Sequence, residues 1–152
     1  MLKQNLYKIT TAICILMLLA STIFVLVRWA QLPDQIAIHY NFAGEADGFG
    51  GKGSLILLMV MAWVTFLIMT VSVKHPEKWN MPVEVTEENK SRLFAITRAM
   101  MEALKLLMTL LFVLLFTTTA AGATMPQWAI IAIIAAIILI VTVGFILMYK
   151  NK

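Results

Sequence analysis

Residues 128–149 read WAIIAIIAAIILIVTVGFILMY, a run with no Asp, Glu, Lys or Arg, closed by Trp128 and Tyr149 at its ends. A helix needs about 20 apolar residues to cross a hydrocarbon layer of about 30 Å, so this stretch is long enough to span a membrane. Three more runs meet the same requirement, from about Ile9 to Trp29, Ser54 to Val73 and Leu104 to Ala121. The whole chain agrees with these runs: of its 152 residues 61% are hydrophobic and 13% charged, whereas soluble domains carry roughly 45–50% apolar and about 25% charged residues. A soluble globule is excluded. The expectation is one unit over residues 1–152, an all-α integral membrane protein built as a four-transmembrane-helix bundle.

Lys3 and Lys8 ahead of the first run imitate a signal peptide. The apolar stretch is too long for one, and Arg28 and Trp29 stand where small residues would precede a cleavage site, so it reads as an uncleaved first span. Basic residues collect on cytoplasmic flanks. Lys3, Lys8, Lys74, Lys78, Lys90, Arg92, Arg98, Lys150 and Lys152 fall on one side, against Arg28 and Lys52 on the other. Both termini are therefore expected in the cytoplasm, in the inner membrane of a cell, with the loop over 31–53 outside and residues 74–103 inside. The net charge of +4 is spread over span flanks and forms no single patch, so the expected partner is membrane lipid and not nucleic acid. Cys14 is the sole cysteine, which excludes an intrachain disulfide or a cysteine-based metal cluster within this sequence.

Between spans two and three, Pro76 and Pro82 stop any continuing helix. Thr86 is placed to cap a new helix whose first turn holds Glu87 and Glu88, and no Gly or Pro interrupts the chain from about Glu87 to Ala121. The spacing predicts one helix across that range, with Arg98–Glu102 and Glu102–Lys105 as pairs near the bilayer surface. The turn over 122–127 is short, and Ala120, Ala121, Ala129, Ala132 and Ala136 around it predict a close packing seam between spans three and four.

The outward loop changes period. Ile36, Ile38 and Tyr40 alternate with Ala37, His39 and Asn41 after the Pro33-Asp34 turn, which predicts a strand and, with the glycines that follow, a hairpin turning at Asp47-Gly48. Ser54 is positioned to cap span two. His39, Asp47, Glu45 and Asp34 are the one outward group whose chemistry suits a ligand, a metal or acid–base work, although their spacing matches no zinc signature. The structural alternative has Asp47 accepting backbone N–H bonds in the glycine turn, His39 bonding across the hairpin and Lys52 as counter-charge. Ligand-binding candidates are thus His39, Asn41, Asp47 and Lys52, and partner-binding candidates on the other side are Asn80, Glu88, Asn89 and Arg98. Turn formation and capping account for Asn80, Glu88 and Asn89 equally well.

Leu32-Pro33-Asp34-Gln35-Ile36-Ala37-Ile38-His39-Tyr40-Asn41, then Gly44-Glu45-Ala46-Asp47-Gly48 and Lys52, resemble the pattern of a bacterial membrane family, domain of unknown function 1648. Trp79-Asn80-Met81-Pro82 and Thr86-Glu87-Glu88-Asn89 resemble the stretch after that family's second span. Its best-known relatives are SdpI-type immunity proteins, which protect cells from a secreted toxin and relay its presence to a repressor. The resemblance implies an extracellular peptide or toxin as ligand and a cytoplasmic regulatory protein as partner.

No GxSxG, HExxH, Walker A or Rossmann pattern occurs in the sequence. The spans are read as free of ionisable groups deep in the core, which argues against a pump or carrier. The expectation is a non-enzymatic protein without cofactor or catalytic residue. The alternative is a small membrane enzyme or lipid-handling protein that uses His39 and Asp47 at the outer surface.

Overall fold

The computed structural model describes residues 2–152, with side-chain surroundings from Leu6 onward. Lys3, part of the basic asymmetry, lies outside the described side chains. Four helices carry the chain: α1 (Leu2–Arg28), α2 (Ser54–Lys74), α3 (Lys90–Ala121) and α4 (Gln127–Lys150). Strands β1 (Gln35–Tyr40) and β2 (Ala46–Gly51) form an antiparallel hairpin between α1 and α2. All four helices are long and apolar enough to cross a membrane, so the protein is a multi-pass membrane protein.

Helix α3 is the hub. It packs against α1, α2 and α4, whereas α1 and α2 touch each other sparingly. The buried positions show why three helices converge. Cys14, Leu18, Ser21 and Val25 of α1 repeat at intervals of four, three and four residues, as do Leu55, Met59, Ala62 and Phe66 of α2. Each series makes a narrow seam along one side of its helix, the pattern of helices that interlock side by side. Phe116 and Ala120 of α3 close this core, with Leu32 and Ile36 from the hairpin segment. Leu16, Ile23, Leu57, Leu67, Ile138 and Leu139 point outward. Lipid tails are as apolar as these side chains, so contact between helices rests on close packing and polar bonds. Trp63 of α2 supplies one such bond, donating Nε1–H to Thr22 Oγ1 of α1 at 3.3 Å.

The α3–α4 seam is formed differently from the sequence expectation. Ala120 and Ala129 are buried, but Ala121 and Ala132 are exposed. Toward the other end α4 meets α3 at Gly144, where a Cβ would stand 2.5 Å from Met100 Sδ. Alanine spacing marks small positions without saying which side of the helix meets a neighbour.

Helix α3 is continuous as expected, with no break between Arg98 and Leu104, and its 32 residues extend about 48 Å at about 1.5 Å per residue. It starts at Lys90, later than the capping pattern predicts. Thr86 N–H donates to Asn89 Oδ1 at 2.8 Å and Lys90 N–H to Thr86 O at 2.9 Å. Thr86 Oγ1 in turn accepts from Asn89 N–H at 3.4 Å, so the expected cap at Thr86 forms as a reciprocal pair one turn ahead of the helix, and Asn89 leads into α3. At the far end Gly122 takes φ 64°, and Ala123 N–H reaches back to Thr118 O at 2.9 Å, which ends α3 and frees Pro126 to lead into α4.

Candidate functional site

The hairpin is positioned by Leu32 and Ile36, which enter the core, and by polar bonds to α3. Tyr40 Oη and Thr119 Oγ1 lie 3.2 Å apart, and Thr119 Oγ1 also donates to Ala37 O at 3.4 Å. The tip rests on the α3–α4 turn through Met125 N–H donating to Gly44 O at 3.1 Å. Gly44 has φ 81°, and a Cβ there would fall 1.8 Å from Met125 O, so only glycine suits this contact.

The turn lies earlier than Asp47-Gly48. Both of those residues are in β2, and the chain reverses over Asn41–Glu45. Asn41 Oδ1 accepts from Ala43 N–H at 2.9 Å and from Glu45 N–H at 3.0 Å, the backbone-mimicking bond expected of Asp47. Asp47 instead pairs with His39, Oδ1 to Nδ1, at 2.5 Å. Gly48 and Gly50 serve close approach, because a Cβ on them would stand 3.0 Å from His39 Cβ and from Ile38 Cδ1 respectively. Gly53 precedes α2, and Ser54 is its first residue without a side-chain cap, another correction.

The four outward candidates therefore form separate pairs. His39 bonds Asp47, Asn41 Nδ2 donates to Glu45 Oε2 at 3.2 Å, and Lys52 Nζ meets Asp34 Oδ1 at 3.0 Å at the base of the strands. His39 and Asp47 remain open, their side chains 70% and 44% exposed. Beside them Ile38, Phe42 and Phe49 are exposed apolar side chains on the same hairpin, and Trp128 is exposed at the start of α4. The hairpin thus carries open polar and open apolar side chains together.

The four candidates at the other end do not converge. Asn80 and Glu88 are exposed, while Asn89 is buried, its amide donating to Glu84 O at 3.0 Å. Arg98 Nε–H donates to Val73 O of α2 at 3.2 Å, and its guanidinium lies over the Tyr7 ring, so it does not form the expected pair with Glu102.

The Glu102–Lys105 pair expected from its spacing does form, but it is buried and joined to hydroxyls of α1 that the sequence did not assign to it. Lys105 Nζ lies 2.9 Å from Glu102 Oε2, with the two side chains 1% and 8% exposed. Lys105 also donates to Thr11 Oγ1 at 2.9 Å, and Thr10 Oγ1 donates to Glu102 Oε2 at 2.7 Å. Phe66 of α2 presents its ring 6.0 Å from Lys105 Nζ. Glu102 and Lys105 are thus buried between the helices beside the start of the third apolar run. The available signal was helical phase: Leu93, Thr97, Glu102, Lys105, Thr109 and Phe116 all face inward along α3. A reading by distance from the span boundary placed the charges at the surface instead. Among the described residues no three His, Cys, Asp or Glu side chains stand together as a metal site.

The segment that joins α1, the hairpin and α2 has a recognisable signature. Residues 16–69 match the family model of a domain of unknown function, DUF1648. The DUF1648 match thus runs from the middle of α1 through the hairpin to near the end of α2, and includes His39, Asn41, Asp47 and Lys52. No curated protein and no solved structure matches the chain.

Proposed function

We propose that this protein is a non-enzymatic bacterial inner-membrane protein of the immunity or signal-relay kind, with both termini cytoplasmic. Its hairpin recognises an extracellular peptide or toxin, and its α3 carries the consequence to the opposite side, where a cytoplasmic regulatory protein docks. The single observation supporting this is the path of α3. One uninterrupted helix is bonded to the hairpin through Thr119 and runs to Lys90, beside the exposed loop that holds Asn80 and Glu88. A ligand that shifts the hairpin relative to α3 therefore acts on an element that reaches the other side.

The recognition surface in this reading is His39 and Asp47 with Ile38, Phe42 and Phe49. Aromatic side chains beside an open polar pair suit an amphipathic peptide, which offers both kinds of group. The test is survival of a deletion strain challenged with secreted peptide toxins and complemented with wild type, Phe49→Ser or His39→Ala. Membrane insertion of each variant is verified by labelling of an added cysteine. Wild type restores survival and the hairpin variants do not. Full rescue by both hairpin variants overturns recognition at this surface.

A further inference from the structure

At the end of the bundle that holds both termini, a recess of about 570 Å³ opens where α1, α2 and α3 diverge. Three cations from three helices line it: Lys8 of α1, Lys74 of α2 and Arg98 of α3. Thr70 and Lys74 are one turn apart on α2, and Arg98 and Glu102 one turn apart on α3, so each pair shares one side of its helix. Glu102 is the carboxylate at the recess wall, and Lys105 already matches its charge from the inner side. The recess is therefore cationic.

Two unspent groups indicate what would fill it. Thr70 Oγ1 is buried and has no hydrogen-bond partner among the described residues, an uncommon condition for a hydroxyl inside a protein. Arg98 uses Nε–H on Val73 O, which leaves its Nη–H donors for a ligand and holds the guanidinium in place against Tyr7. A fixed guanidinium fork, two ammonium groups and a hydroxyl donor are the complement of a phosphate group. Val73 and the ring of Tyr7 add apolar wall, and α1 and α2 meet so little that the recess has a way out to the lipid between them.

We infer that this recess binds a phosphate-bearing anion, and that the ligand is the phosphodiester of an anionic phospholipid whose acyl chains lie between α1 and α2. Arg98 takes the phosphate oxygens through its fork, Lys8 and Lys74 close over it from the rim, and Thr70 donates its hydroxyl. This site is independent of recognition at the hairpin, which lies at the opposite end of the same helices.

Native mass spectrometry of the full-length protein released from micelles tests it, with phosphatidylglycerol, phosphatidylcholine and inorganic phosphate as probes. Phosphatidylglycerol is retained at lower concentration than phosphatidylcholine. Arg98→Gln weakens that retention about ten- to a hundredfold, the loss expected when a hydrogen bond to a charged group is removed. Lys74→Gln weakens it less, and Lys150→Gln, outside the recess, leaves it unchanged. If inorganic phosphate saturates the site and displaces the lipid, the anion site stands and its ligand is a soluble phosphate. If the phosphate does not compete, the ligand is the lipid. Equal retention of the two lipids with no phosphate binding, or retention by Arg98→Gln equal to wild type, overturns the proposal. Should Arg98→Gln fail to fold, Thr70→Val removes the free hydroxyl while keeping the side-chain shape, and wild-type retention by that variant is equally decisive against it.

Discussion

At the hairpin, His39 and Asp47 stand 2.5 Å apart with side chains 70% and 44% exposed; within the bundle, Lys105 and Glu102 stand 2.9 Å apart with side chains 1% and 8% exposed. Separation alone would rank the two alike, but their surroundings reverse the ranking. Water around the first pair solvates either partner when the other is lost, so such a pair contributes about 0.2–1 kcal/mol. The second pair is nearly closed off from water. Its partners are Thr10, Thr11 and each other, and removing one leaves a buried charge whose solvation nothing replaces. The hairpin pair accordingly holds little of the fold, while the inner pair is committed to holding α1 on α3.

The sharpest way to break this contrast is Lys105→Met. It strands Glu102 and is expected to cost about 3–5 kcal/mol, seen as a large drop in melting temperature in detergent. Adding Glu102→Leu removes the stranded charge and recovers most of the loss. A double variant that melts no higher than the single one would mean that the pair's value lies in attraction and not in mutual solvation.

Gly44→Ala comes next. The new methyl collides with Met125 O and forces a left-handed backbone on alanine, with an expected cost of about 1–3 kcal/mol or more. The hairpin tip should then lift, which protease cleavage within residues 41–45 would register. Unchanged cleavage would show that the tip is held by the strands alone.

Asp47→Ala is expected to cost less than about 1 kcal/mol, because the turn is built by Asn41 and the pair with His39 is open to water. A melting-point loss comparable to Lys105→Met would erase the distinction between the two pairs.

The smallest effect is at Glu77, whose contact with His75 is a third, half-exposed pair. Hydrogen bonding from its own backbone, followed by the bond to His75, lowers its carboxyl below the ordinary value of 4.5. A carboxylate with a lowered folded-state pKa adds stability above the unfolded value and loses it as the pH falls through the folded one. Wild type should therefore melt slightly higher than Glu77→Gln at pH 7, and the gap should close as the pH falls below about 4.5. A gap that widens in acid would reverse the sign.

The four helices were legible because apolar length is a local property, and the strand at Ile36–Tyr40 because alternation is local too. The turn at Asn41 was not, since Asp47-Gly48 is the stronger dipeptide and the choice between them depends on register against β1 and on Met125, distant in sequence. His39 was correctly placed across the hairpin from a partner. Arg98 and Glu102 have the spacing of a pair, yet each found other partners, Val73 O on α2 for Arg98, and Lys105 one turn along α3 with Thr10 on α1 for Glu102. Helix phase carries that information only when the neighbours are known. The inward line of Thr97, Glu102, Lys105 and Thr109 was present in the sequence, but it reads as a polar interruption until α1 is set against it.

Helices α1 and α2 barely meet, and α3 fills the angle between them from outside the segment that carries the DUF1648 signature. That segment is thus an open clasp. Cut after residue 69, it would leave the inward seams of Leu18 and Val25, and of Met59 and Phe66, facing lipid without the interlocking surface of α3. The recurring unit that a family model detects here is consequently not a unit of assembly. It becomes one only when a third helix of matching phase is supplied, whether by the same chain or by a separately expressed fragment beginning near Lys90, and co-expression of the two pieces should rebuild what neither holds alone.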